Sequence, residues 1–209
     1  MKTILELFNT ILTADIDTSR KASREVRKLI YSSHNGQYSD ILSIIKNAPE
    51  KYEKIEEDFR KNNFVMAISV IYFLHDREDH PDFLFPWIFN LLQHENGNIR
   101  FAAVRMLEHE LGPLTYHIRL PNEKLNNREL SPEQADIILY NLFINLHILS
   151  TNLWKPSYKK FKYISSLPTG PFKSVQMILS QLDEYCDDNF MNRCTKAYTI
   201  RPTKATKTL

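Results

Sequence analysis

The chain has 209 residues, 43% of them hydrophobic and 25% charged, and its 27 basic and 25 acidic side chains leave a formal net charge of +2. That length supports one domain with its own core, and the composition argues against a disordered, collagen-like or disulfide-rich chain. Four glycines are few for a strand-rich fold, and the most apolar run, 65–74, is far shorter than a membrane span. We therefore expect an all-α protein of the cytoplasm without membrane contact.

Apolar residues recur at helical spacing along most of the chain. Ser131 and Gln134 form a capping-box pattern at the start of one segment, which is apolar on more than one side. We expect that helix to be the most buried, with His147 as a hydrogen-bonded core residue. The predicted helices cover 2–13, 18–33, 37–48, 50–61, 63–75, 82–93, 98–111, 132–150 and 172–186.

Basic side chains dominate the predicted helix 18–33. Arg20, Arg24 and Arg27 fall on one face by helical spacing, Lys21 and Lys28 lie beside them, and only Glu25 opposes them. Neutralisation of phosphates by lysine and arginine is the main source of nucleic-acid affinity. This helix is therefore a candidate nucleic-acid contact.

Histidine and acidic residues are densest between 75 and 82, where two imidazoles and four carboxylates occur within eight residues. Such groups bind divalent cations, but they also suit a solvated turn between helices, which we favour. The pair His75-Asp76, at the end of an apolar helix, resembles the HD phosphohydrolase family. That resemblance implies a divalent metal held by His34, His75, Asp76 and Asp136, with a metal-bound hydroxide for phosphoester hydrolysis.

The segment 84–111 has the pattern of two antiparallel helices. Leu84, Trp87 and Leu91 belong to the apolar stripe of the first helix. In the turn we expect Gly97 with positive φ and Asn98 as N-cap of the second helix, and Gly112-Pro113 should end that helix. The stripe of the second helix consists of Ile99, Ala102, Ala103, Met106 and Leu107.

This segment resembles one HEAT repeat, through Leu91-Leu92, Ile99-Arg100, Ala102-Ala103 and Leu107. His94 departs from the family, which commonly has an aspartate there that can pair with the arginine between stacked repeats. A shift of 34 residues aligns 63–75 with the second helix, which predicts a degenerate preceding unit with 50–61 as its first helix. The resemblance implies an α-α superhelix, a solenoid-like array of helix pairs.

The stretch 155–163 interleaves lysines with aromatic residues, a pattern typical of surfaces that grip a nucleic-acid strand by charge and stacking. Aromatic residues that anchor a loop beneath solvated lysines would give the same pattern, and this simpler interpretation has the better odds. The candidate binding residues of this stretch are Lys155, Tyr158, Lys159, Lys160 and Lys162.

Residues 1–188 are expected to form a single helical domain, followed by a basic, disordered tail at 189–209. Gly-rich phosphate loops, GxSxG and HExxH are absent, and the two cysteines suit neither a zinc pair nor a disulfide framework, so we expect no cofactor. The sequence favours a non-enzymatic scaffold that docks a protein partner on a curved helical surface. Nucleic-acid binding through 20–28 and 155–163 is the alternative, and an HD-type phosphohydrolase is a further one.

Overall fold

The computed structural model describes residues 2–31, 38–122 and 130–193. Within these ranges the chain forms helices joined by turns, without a strand, which confirms the all-α prediction. Short 3₁₀ helices cover Tyr72–Leu74, Pro156–Lys160 and Ile164–Ser166. The α-helices are α1 (Ile4–Thr13), α2 (Ile16–Tyr31), α3 (Tyr38–Lys46), α4 (Ala48–Glu53), α5 (Asp58–Ile71), α6 (Phe85–Leu92), α7 (Gly97–Leu114), α8 (Tyr116–Arg119), α9 (Pro132–Leu153) and α10 (Pro171–Tyr185).

Side-chain caps fix where several helices begin. The predicted capping box of α9 is present, since the Ser131 hydroxyl accepts from the backbone N–H of Gln134 and the Gln134 side chain accepts from that of Ser131. Thr3 and Glu6 form the same reciprocal pair at the start of α1. These caps satisfy backbone donors that would otherwise lack a partner in the first turn.

The order in which the helices pack places α7 at the centre of the molecule. Helix α1 packs on α2, α2 on α5 and α5 on α7, while α7 also contacts α6, α9 and α10. Ala102 and Ala103 of α7 are fully buried, and their small side chains allow neighbouring backbones to approach closely. The core therefore extends on both sides of α7.

Helix α9 is not the central helix, contrary to the expectation from its composition. It packs on α10 and α7, and one side of it is buried. Ile144 and Ile148 point away from that side and are 36% and 55% exposed. His147 is exposed as well and packs edge-on against the Phe143 ring at 4.2 Å, so the prediction of a core histidine is wrong.

The predicted helix pair in 84–111 is present as α6 and α7, which pack against each other. The turn differs from the prediction, because Asn96 rather than Asn98 caps α7 and Gly97 begins the helix without a positive φ. The guanidinium of buried Arg100 donates to the carbonyls of His94 and Glu95, both at 2.6 Å. Arg100 thus holds the start of α7 to the turn that follows α6.

Helix α7 also continues past the predicted stop at Gly112. Pro113 lies inside its last turn, and the helix ends at Leu114. Thr115 follows as the C-cap residue, and its hydroxyl donates to the Leu111 carbonyl at 2.6 Å. Because a proline near a helix end disturbs few intrahelical hydrogen bonds, one more turn is possible here than the sequence suggested.

Helix α5 crosses the predicted break between 50–61 and 63–75. It runs without interruption from Asp58 to Ile71. Asn63, which suggested a helix start, is 5% exposed and donates from its side-chain amide to the Ser19 hydroxyl at 2.9 Å. The Ser23 hydroxyl donates to the Asn63 carbonyl at 2.9 Å. The asparagine therefore joins α5 to α2 instead of separating two helices.

The ordered packing continues beyond the predicted boundary at Asp188. Phe190 is 4% exposed within the hydrophobic core. The Arg193 guanidinium donates to the Asp136 carboxylate of α9 at 2.9 Å. The tail predicted for 189–209 therefore begins after Arg193 at the earliest, and residues 194–209 lie outside the described ranges.

None of the helices in the described ranges is both long and apolar enough to cross a lipid bilayer. This holds even for α9, which has 22 residues, because asparagine, serine and threonine side chains interrupt its apolar sequence.

Truncation tests the role of residues 189–193. A chain that ends after Asp188 should melt at a lower temperature than one that ends after Arg193, because only the longer chain keeps Phe190 in the core. Loss of a buried phenylalanine side chain costs about 3–5 kcal/mol. Calorimetry of both purified chains measures the difference, and equal melting temperatures would restore the boundary at Asp188.

Candidate binding surfaces

The basic face of α2, defined as Arg20, Lys21, Arg24, Arg27 and Lys28, is exposed. At 3.6 residues per turn these side chains fall within an arc of about 120°. The opposite side of α2 is buried, and its members are Ser19, Ala22, Ser23, Val26 and Leu29.

Buried hydrogen bonds orient this face toward solvent. Besides the two bonds to Asn63, the Ser19 hydroxyl donates to the Ile11 carbonyl of α1 at 2.9 Å. Hydroxyls buried on one side of a helix fix its rotation about its axis, because an unpaired buried polar group is costly. None of the five basic side chains forms an ion pair with an acidic residue in the described part of the chain.

The lysine segment, defined as residues 154–163, follows α9 directly. Tyr158 stacks on Phe172 of α10, with ring centroids 4.8 Å apart and an interplanar angle of 17°. This contact anchors the segment, as the simpler interpretation of the pattern requires. Trp154 and Tyr163 are nevertheless 43% and 63% exposed, so two aromatic rings stay available for stacking.

The lysines of this segment lie over its own rings. Lys159 Nζ is 5.8 Å from the centroid of Trp154, and Lys162 Nζ is 5.4 Å from that of Tyr163. Lys160 is similarly placed over Phe161 at 5.2 Å, and Lys155 is exposed. Exposed cation–π contacts of this kind contribute about 0.5–1 kcal/mol each. A nucleic-acid base that stacks on the ring can therefore take the place of the lysine.

The two groups of predicted binding residues rest on different helices. Helix α2 packs mainly on α1 and α5, whereas the lysine segment is anchored to α10. The structure therefore does not gather them into one cluster.

A cavity of about 370 Å³ lies between the end of α5 and the last turns of α7. His75 and Glu110 are among its lining residues, and His75 Nε2 is 2.7 Å from Glu110 Oε1. The other ring nitrogen of His75, Nδ1, accepts from the backbone N–H of Arg77 at 3.1 Å. Nε2 must therefore carry the proton and donate to Glu110, so neither ring nitrogen is left to act as a base.

Two further titratable groups border this pair. Burial, with help from the Glu110 carboxylate, raises the pKa of Tyr72 well above its ordinary value. Burial and the nearby Arg105 lower the pKa of His109, whose Nε2 is buried without a hydrogen-bond partner in the described residues. His109 is thus neutral at neutral pH. The cavity lining in the described part includes no serine, threonine, cysteine or lysine that could serve as a nucleophile.

The proposed phosphohydrolase ligands do not converge. His75 pairs with Glu110, while Asp136 accepts from His117 at 3.0 Å and from Arg193. No three histidine, cysteine or acidic side chains of the described residues are placed to hold a metal ion. His34 lies outside the described ranges. Residues 75–82 lie in the connection between the 3₁₀ helix Tyr72–Leu74 and α6.

Asp136 is the centre of a second polar cluster, which the sequence did not reveal. Burial alone would raise its pKa, but hydrogen bonds from His117 and Arg193 outweigh burial and lower it below the ordinary value. Arg193 also makes a bidentate contact with Asp187. The cluster fastens the last described residues to α9.

The outer face of α9 is partly exposed, although this helix was expected to be the most buried. It consists of Glu133, Ile137, Ile144, Ile148 and Thr151, which fall within an arc of about 60° by helical spacing, opposite the buried side. The stretch 137–154 contains no aspartate, glutamate, lysine or arginine. From Ile137 to Thr151 this face is uncharged, and exposed apolar side chains without nearby charge are typical of a docking surface.

No family model matches the chain, and neither a curated protein nor a solved structure does. Its function has to be inferred from its own exposed faces. Three surfaces qualify: the basic face of α2, the lysine segment and the outer face of α9.

The Asp136 cluster predicts a specific pH dependence of stability. The pKa of Asp136 in the folded state lies below its ordinary value of 3.8, so the ionised carboxylate stabilises the folded state above pH 3.8. This contribution is lost as the pH falls through the lower pKa of the folded state. Asp136→Asn should therefore reduce the free energy of unfolding more at about pH 7 than at about pH 3. Urea denaturation at both values measures this, with exposed Asp183→Asn as the control. A reduction that does not change with pH would contradict the account.

Proposed function

We propose that this protein is a non-enzymatic binding scaffold that docks a protein partner through the outer face of α9. The single observation that carries the proposal is the exposure of Ile144 and Ile148 on a face without charged residues over 137–154. Burial of apolar area stabilises an interface by about 25 cal/mol per Å². Covering an exposed isoleucine side chain removes apolar area from water and so stabilises the complex.

The arrangement of the helices supports a scaffold of HEAT-like pairs. In the pair α6–α7, the residues that carry the resemblance are buried, including Leu91, Leu92 and Arg100. Contacts between helices also run from α1 through α2, α5 and α7 to α10. We propose that these pairs form a short α-α superhelix, in which each unit buries its apolar face on the next.

The cavity favours this function over catalysis. Both ring nitrogens of His75 are engaged, and no serine, threonine, cysteine or lysine of the described residues lines the space. A general base needs a free nitrogen within reach of a substrate proton. The neutral His109 has such a nitrogen, but no partner group stands ready to orient it.

Nucleic-acid binding is the second candidate, and it is favoured by a different observation. The five basic side chains of α2 are exposed without acidic partners in the described residues, and Trp154 and Tyr163 are exposed beside lysines. Free cations allow release of counterions from phosphates, and free rings allow bases to stack.

Capture by the immobilised full-length chain tests protein docking. Ile148→Glu should lose the proteins that the wild type retains, because a charge in the middle of an apolar contact must be buried without a partner. Phe101→Glu is the matched control, since Phe101 is also an exposed apolar residue but lies on α7. If both variants retain the same proteins as the wild type, α9 is not the docking surface.

Fluorescence anisotropy with labelled single- and double-stranded DNA and RNA tests the second candidate. Arg24→Glu with Arg27→Glu should weaken binding at least about tenfold, and the loss should diminish as salt rises. Lys2→Glu with Lys46→Glu changes the net charge equally at exposed positions outside α2. Equal losses in both double variants would mean that α2 is not a specific contact, and no binding by the wild type at low salt would exclude this function.

A further inference from the structure

We propose that the partner on the outer face of α9 is a second copy of this chain, paired antiparallel about a twofold axis at Ile144. This inference rests on the proposed docking function and names its partner. A contact between identical faces is the commonest way in which soluble proteins form oligomers, and it requires a face that is complementary to itself. The outer face of α9 has that property in both its apolar and its charged residues.

The residues of the outer face and its edge are spaced evenly about Ile144. Ile137 lies seven residues before it and Thr151 seven after it, while Tyr140 and Ile148 lie four residues to either side. In an antiparallel pair centred at Ile144, that residue meets itself, and Ile148 meets the half-buried Tyr140 of the second copy. Each exposed isoleucine near the centre therefore finds an apolar neighbour.

The charges select the antiparallel arrangement. Glu133 lies eleven residues before Ile144, and Lys155 lies eleven residues after it. Antiparallel pairing places Glu133 of each copy near Lys155 of the other, whereas parallel pairing places like charges together. Both side chains are exposed, and neither has an ion-pair partner in the described ranges.

These two charges cannot pair with each other within one chain. They stand at opposite ends of α9, whose 22 residues span about 33 Å. Between them no charged residue interrupts the face, so the twofold axis brings no like charges together. The dipoles of the two helices also oppose each other in this arrangement, which is mildly favourable.

Two polar side chains, Asn145 beside the outer face and Thr151 on it, already donate to the helix backbone. The Asn145 side-chain amide donates to the Asn141 carbonyl at 2.7 Å. The Thr151 hydroxyl donates to the His147 carbonyl at 2.9 Å. Because these groups already bond to the helix backbone, covering them leaves few donors unsatisfied.

The contact is modest in size. One helix face is small beside the roughly 1,600 Å² of a standard interface, so the dimer should dissociate on dilution. Sedimentation equilibrium of the full chain from micromolar to submillimolar concentrations should show the mass rising from 24.7 kDa toward twice that value. A mass of 24.7 kDa at every concentration overturns the proposal.

Two substitutions test whether the self-association uses α9. Ile144→Glu places two like charges at the axis and should weaken self-association at least about tenfold. Phe101→Glu, on α7, should not change it. A variant Ile144→Glu that associates as the wild type does overturns the assignment to α9.

A charge exchange tests the antiparallel direction. Glu133→Lys and Lys155→Glu should each weaken association, and the double variant should restore it, because the opposite charges then meet again with their positions reversed. A double variant that is weaker than either single variant overturns the antiparallel pairing. Far-UV circular dichroism of each variant establishes that the helices are intact.

Cross-linking locates the axis. In a background with Cys186→Ala and Cys194→Ala, Ile144→Cys should form a disulfide between two copies under mild oxidation. Ile137→Cys should not, because its two copies would lie about 21 Å apart along the helices. Equal cross-linking at both positions contradicts an axis at Ile144.

The outcomes also separate this inference from the proposed function. If the purified chain stays monomeric while Ile148→Glu still abolishes capture of a different protein, the self-pairing is wrong and the docking function stands. If the chain is monomeric and capture does not depend on Ile148, both proposals fail.

Discussion

The close packing around α7 is the constraint on which the rest of the structure depends. Its fully buried Ala102 and Ala103 let neighbouring helices approach, and it contacts α5, α6, α9 and α10. Arg100 fixes its start by donating to the carbonyls of the preceding turn. Each long helix after α2 either contacts α7 or contacts a helix that does. Helix α2 is held against α1 and α5 by the hydrogen bonds of Ser19, Ser23 and Asn63.

This arrangement explains why α9 has an uncovered face. Helices α7 and α10 lie on one side of α9 and bury a single stripe of it, while its opposite side carries Ile144 and Ile148. A helix at the edge of an array normally has charged residues on its outer side, since these keep the protein soluble. The absence of charge from 137 to 154 is therefore best explained by a contact that covers this side. The basic face of α2, at another part of the array, has the charged and solvated character that the outer face of α9 lacks.

Much of the fold could be predicted from sequence, because periodicity and caps are local signals. The capping box of Ser131 and Gln134 and the pair α6–α7 are examples. The 34-residue shift predicted a helix that begins at Asn63, yet α5 runs through this residue, and its side chain bonds to α2 across 44 residues of sequence. The apolar composition of α9 suggested a helix buried on more than one side. Only one side is buried, because burial depends on how many helices surround it. His75–Glu110 and Asp136–Arg193 join residues 35 and 57 positions apart, which no spacing rule anticipates.

The central claim is that the outer face of α9 is exposed in the isolated chain and becomes covered when it docks. Hydroxyl-radical footprinting of the purified protein at rising concentrations, read by mass spectrometry, tests it most directly. The account predicts that Ile144 and Ile148 are oxidised at low concentration and protected at high concentration, while oxidation of Phe101 stays constant. Protection of both isoleucines even at the lowest concentration would show that α9 is buried within a single chain and would contradict the account.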